Sequence, residues 1–112
     1  SLSGTDDILV RLGDAGGIET TGYYSGSRDI TPVTTGLIVF VGGSTRTATG
    51  QMEIVRVGTT NQWSEFHSVS MSTISCSGGG SKTLSDSITT VSVTRSGTDS
   101  FDAGSIAVRY WL

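Results

Sequence analysis

The chain has 112 residues, a net charge of −3 and one cysteine. That length suits a single domain with a single core. The acidic balance argues against a nucleic-acid binder, which needs a basic stripe, and one thiol allows neither an internal disulfide nor a cysteine-based zinc site. Only 15% of the residues are charged, Ser and Thr make up about a third and 16 are Gly. Such a composition would suit disorder if the apolar residues were not gathered in short, regularly spaced clusters. No apolar run reaches the length of a membrane span, and the first residues lack the charged-then-apolar order of a secretion signal. The expectation is one β-rich globular domain whose solvent faces carry Thr and Ser.

No window keeps apolar residues at helical spacing. Strand signals recur instead. Asp7 to Leu12 sets Ile8, Val10 and Leu12 on one face before "GDAGG" breaks the chain. Ile18 to Tyr24 follows, and the adjacent Tyr23 and Tyr24 must face opposite sides. Pro32, in the loop "SGSRDITP", disfavours a central strand there. Leu37 to Val41 is almost wholly apolar, as in a strand covered on both faces. Between Thr49 and Val57 the alternation slips by one, from Met52 and Ile54 to Val55 and Val57, which predicts a bulge near Ile54. Trp63 to Met71 puts Trp63, Glu65, His67, Val69 and Met71 on one face.

"SCSGGGSK" reads as a flexible loop without phosphate-loop context, and Cys76 in it as a small core residue. Ile88 to Arg95 is a strand with Val91 and Val93 inward. In "FDAGS", Phe101 plugs the end of the core, Asp102 makes an Asx turn and Gly104 supplies positive φ. Ser105 to Leu112 then reads as the last strand, with Ile106, Val108 and Tyr110 inward and Trp111 outward. These seven or eight strands, with no internal repeat and no domain boundary, predict one antiparallel β-sandwich or jelly roll over residues 1–112.

"GTDSFDAGSIAVRYW" resembles the closing segment of small β-sandwich domains in tail fibres and other receptor-binding proteins of tailed bacteriophages. "DDILVRLGDAGGIETTGYYSGS" resembles the opening of the same group, and "SKTLSDSITTVSVT" its penultimate strand. Ala107 stands where that pattern often has Asn, and Trp111-Leu112 replaces an acidic end. The pattern also has a strand ahead of "SLSGTDD", to be supplied by further chain or by a partner. The resemblance implies a non-enzymatic module of a longer fibre polypeptide on the surface of a virion. It further implies a homotrimer that contacts other virion proteins and binds a host surface glycan or protein. A capsid decoration or head-fibre protein, and a carbohydrate-binding module of a secreted enzyme, are the alternatives.

For such a role the contact loops are 25–31, 42–47 and 75–81, with Arg28, Arg46, Trp63 and Tyr24 as candidate ligand-binding residues. Trp111 and Tyr110 are the candidate inter-subunit contacts, since exposed aromatics bury much area at small entropic cost. No cofactor and no metal is expected. His67 and Glu65 share a strand face and suit half a metal site or an acid–base pair. A triad needs a Ser facing the His, and spacing identifies none among so many. Asp6, Asp7, Asp14 and Glu19 lie around the first turn without the regular spacing of a calcium loop, and read as ordinary turn residues.

Overall fold

A computed structural model describes residues 1–71 and 73–110. The described residues form nine strands and no helix: β1 (Ile8–Asp14), β2 (Gly17–Ile18), β3 (Tyr23–Ser27), β4 (Ile30–Val33), β5 (Leu37–Val39), β6 (Thr49–Arg56), β7 (Gln62–Met71), β8 (Ile74–Thr83) and β9 (Thr90–Arg95). All pairings are antiparallel. One sheet runs β4-β3-β8-β7-β6. In the other, β1 pairs with β9 along one side and with β2 and β5 along the opposite side. The two layers enclose Val10, Leu12, Tyr23, Leu37 and Leu84 towards one end, and Val39, Val41, Val69, Met71 and Cys76 towards the other. The all-β sandwich expected from the sequence is the architecture of this chain.

β7 is the clearest case of pattern becoming structure. Glu65, His67, Val69 and Met71 are buried and the residues between them are exposed. Tyr23 is buried and Tyr24 exposed, as adjacent strand residues require. Tyr23 Oη accepts from the Leu12 amide at 2.7 Å and donates to the Glu19 carbonyl at 2.7 Å. Pro32 lies in β4, the edge strand of its sheet.

Several expectations need correction. Residues 75–81 are not a loop; they lie within β8, the middle strand of the larger sheet. No bulge interrupts β6, whose register with β7 runs unbroken from Thr49↔Ser70 to Arg56↔Trp63. Val55 is simply exposed on the edge strand β6, and Val57 is exposed just past its end. Residues 105–110 join no strand, and Ile106, Val108 and Tyr110 face solvent instead of the core. Phe101 is half exposed, and its bridge partner Leu2 fills that end of the core. Asp102 meets Ser1 Oγ.

A short repeat becomes visible once the ends are paired. "SGTD" occurs at 3–6 and again at 96–99, and the two copies lie antiparallel beyond the β1–β9 ladder. Asp6 N donates to Asp99 Oδ2 and Asp99 N to Asp6 Oδ2, both at 2.8 Å. Asp7 N donates to Ser96 Oγ and Ser100 N to Ser3 Oγ, both at 2.9 Å. Each carboxylate occupies the space where the opposite Gly4 or Gly97 would otherwise carry a Cβ. Four side chains therefore replace the missing ladder bonds, which explains the Gly and the Asp in both copies.

Glu19 holds the β2–β3 connection to β8 and the segment after it. Its carboxylate accepts from Lys82 Nζ at 2.7 Å and from Ser85 Oγ at 2.6 Å. These bonds, Lys82 first, lower its pKa from 4.5 to about 2. A lowered carboxylate stabilises the fold above its unfolded pKa, and that contribution is lost as pH falls through the folded value. Chemical denaturation should therefore show stability falling by roughly 1–2 kcal/mol between about pH 5 and pH 2 from this group, given its partial solvent access. Glu19→Gln should be less stable at pH 7 and lack that part of the slope. An unchanged slope in the variant would refute the assignment.

Candidate functional site

The outer face of the larger sheet is nearly devoid of charge. Reading across it, β3 presents Tyr24 and Gly26, β8 presents Ser75, Ser77, Gly79 and Ser81, β7 presents Ser64, Phe66, Ser68 and Ser70, and β6 presents Gln51, Glu53 and Val55. Two large aromatics stand up from this hydroxyl-covered surface, Tyr24 at 65% and Phe66 at 57% exposure. Phe66 pairs with Gly79, which pairs with Gly26, so the floor beside Phe66 has no side chains. A Cβ added at Gly79 would meet only the Glu65 carbonyl, at 3.1 Å. Tyr24 lies two strands from Phe66 and one row along. With strands ~4.8 Å apart, the rings are on the order of 10 Å from one another.

A shallow groove of about 490 Å³ follows this floor. It runs beside Tyr24, between the β8 glycines and the β3–β4 hairpin with Arg28, Ile30 and Thr31. Arg28 takes the positive φ of 57° at the hairpin tip, and its guanidinium lies 5.1 Å from the centroid of the Phe40 ring. Arg46 approaches the same ring at 5.5 Å and donates to the Val41 carbonyl at 3.0 Å. Tyr24 and Arg28 therefore share the groove, whereas Arg46 does not line it. Trp63 is on the opposite face of its strand, packed against the core with a buried Nε1 that has no acceptor among the described residues. Tyr110 is exposed and distant in sequence from the groove; Trp111 lies outside the described residues. The sequence reading missed Phe66, although its parity, opposite to His67 and Glu65, marks it as outward.

Beneath the glycine floor lies a second constellation that spacing did not reveal. Ser27 Oγ is 2.8 Å from His67 Nε2, and His67 Nδ1 is bonded to Glu65 Oε1. These residue types in this order are those of a hydrolytic triad. All three are at most 3% exposed, and Ser27 Oγ is already bonded to the Phe40 amide at 2.9 Å. One proton arrangement satisfies the chain: His67 Nδ1–H donates to the carboxylate, Ser27 O–H donates to Nε2, and the Phe40 amide donates to Ser27. Ser25 Oγ acts similarly, accepting from the Ile38 amide at 3.2 Å and donating to the Gly36 carbonyl at 2.7 Å. The hydroxyls of β3 thus saturate the unpaired edge of β5 and join the two sheets. A substrate carbonyl has no path to Ser27. Cys76 is buried beside it, with Sγ 3.9 Å from Oγ.

The acidic residues of the first turn are dispersed among separate structural bonds. Asp7 accepts from the Val41 amide at 2.7 Å, and Asp14 from the Gly16 and Asp86 amides at 2.9 and 3.1 Å. Among the described residues no three His, Cys, Asp or Glu side chains converge as a metal site would require.

Comparison with protein-family models, curated proteins and solved structures gives no match.

Proposed function

We propose that this domain is a non-enzymatic recognition module that binds a neutral oligosaccharide across the outer face of its larger sheet. It serves as the receptor-binding domain of a tail fibre on a phage or phage-like particle, with a host surface glycan as target. One observation carries the binding reading: Tyr24 and Phe66 flank a glycine floor on a face made of serine hydroxyls. Aromatic faces stack on the apolar C–H faces of sugar rings, and hydroxyls meet sugar hydroxyls without desolvating a charge. Glu53 is the one ionised side chain on the strands of this face, with Arg28 at the hairpin end of the groove, so a largely neutral ligand suits it. The particle setting rests on the opening and closing segments, and the sealed state of Ser27 favours recognition over hydrolysis. The exposed Ile106, Val108 and Tyr110 favour a second reading, a capsid decoration protein held to its shell by an apolar segment.

Titration of the ¹⁵N-labelled chain with a panel of neutral oligosaccharides tests the site. Signals of Tyr24, Gly26, Phe66 and Gly79 are expected to shift. Tyr24→Ala and Phe66→Ala should each weaken binding roughly tenfold, matching ~1–1.5 kcal/mol per stacked ring, with unchanged melting temperature. A panel that leaves those four signals in place would overturn the glycan reading.

A further inference from the structure

The rim of the sandwich that carries β9 is unfinished. β9 is bonded to β1 on one side, and no described residue pairs with its other side. β5 lies against β3 and β8, so the order β5-β1-β9 carries β9 towards β7 and β6, where the larger sheet ends. Core-facing side chains at this rim are incompletely covered. Val91 is 42% exposed, and Val93, Met52 and Ile54 are half-buried. A recess of about 240 Å³ opens between Ile88, just ahead of β9, and Arg56, Asn61 and Trp63 of the β6–β7 hairpin.

The same chain carries a segment with the complementary surplus. Ile106, Val108 and Tyr110 recur at every second residue and are 63%, 66% and 78% exposed. Extended backbone places all three on one face. Residues 105–110 equal β9 in length, six residues each.

We propose that residues 105–110 of one copy add as a strand to the free edge of β9 in a second copy, laying Ile106, Val108 and Tyr110 over the half-covered rim. Backbone bonds along β9 would supply affinity, and the alternate side chains would set register. The chain's own segment cannot serve. Ser3 N bonds to Ser100 O at 2.9 Å and Asp102 N to Ser1 O at 3.2 Å. These bonds tie the chain in the β1–β9 register well past the end of β9. A reversal at Gly104, whose φ is +109°, would set Ser105 against Asp102 and Tyr110 against Gly97. That stops short of Arg95, where β9 ends. Donation from copy to copy is a heterologous contact, which closes into a ring where the rotation allows. It lies on the rim remote from the β3–β8 groove and does not depend on glycan binding.

Light scattering of the full chain over a range of concentrations, with hydrogen exchange at the same concentrations, tests this. The mass should rise above that of one copy, and exchange at the β9 amides should slow at least about tenfold with it. Val108→Asp and Ile106→Asp, both at exposed positions, should stay monomeric with an unchanged melting temperature and unchanged oligosaccharide shifts. Three results would each overturn the proposal: a wild-type monomer at every concentration, β9 protection independent of concentration, or Asp variants that associate like the wild type.

Discussion

A single methyl group at position 78 is expected to remove a large part of the domain's stability, whereas the same methyl at position 79 leaves it almost unchanged. Gly78 and Gly79 are neighbours in β8 and face opposite sides of the sheet. A Cβ at Gly78 would overlap the Gly26 carbonyl oxygen and lie 2.6 Å from His67 Cε1. Neither atom can withdraw. The carbonyl belongs to the adjacent strand, and the imidazole is held between Ser27 and Glu65. Overpacking against fixed backbone costs on the order of 4 kcal/mol, a large part of the ~5–15 kcal/mol that a domain of this kind possesses. At Gly79 the single close neighbour is at 3.1 Å, and replacing glycine inside a strand recovers ~0.5–1 kcal/mol of chain entropy. Urea titration followed by circular dichroism should show Gly79→Ala within about 1 kcal/mol of wild type, with weaker oligosaccharide binding because the methyl intrudes on the floor. A Gly78→Ala variant that melted near the wild-type temperature would show that His67 does not sit against β8.

The glycines of β8 also mark where sequence reasoning stops. Propensity places three consecutive glycines in a loop. Here tertiary packing overrides propensity: His67 and the Gly26 carbonyl fill the space that a side chain at 78 would need and Ser25 the space at 80, so glycine is what lets β3 and β7 flank β8. Alternation alone was sufficient for β7 because it has one covered and one open face. It misled at β6 and at residues 105–110, where valine and isoleucine are apolar yet uncovered by their own subunit. The period of two identifies a face and says nothing about what, if anything, lies over it.

The two sites differ in the same way. Tyr24 followed from the impossibility of burying both tyrosines, and Phe66 follows from the parity of its strand. Ser27 could not be singled out from its many equivalents, since its meeting with His67 across 40 residues depends on β8 separating β3 from β7. The "SGTD" repeat is four residues long and acquires meaning only when the two copies are paired.

His67→Ala should be the most damaging change in the interior that leaves every glycine in place. Among the described residues it removes the hydrogen-bond partner of the Glu65 carboxylate, whose Oε2 has none, and leaves the Ser27 hydroxyl only the Cys76 Sγ, 3.9 Å away. Breaking a buried pair from one side costs ~3–5 kcal/mol, because the remaining charge stays in the core. Glu65→Ala should cost less, about 2–3 kcal/mol, since a neutral imidazole with one unpaired N–H is left behind. The double variant Glu65→Ala/His67→Ala should then be more stable than the sum of the single losses predicts, by about 1–2 kcal/mol. Hydrogen exchange at the Phe40 amide should accelerate in His67→Ala, because Ser27 is no longer held in place to accept from it. Additive losses, or a His67→Ala variant within about 1 kcal/mol of wild type, would mean that the three residues do not act as one network. Ser27→Ala offers the chemical control. If Ser27 were a nucleophile, the variant would lose a hydrolytic activity while keeping its stability; the sealed geometry predicts the reverse, a loss of about 1–2 kcal/mol from the orphaned Phe40 amide with no change in oligosaccharide binding.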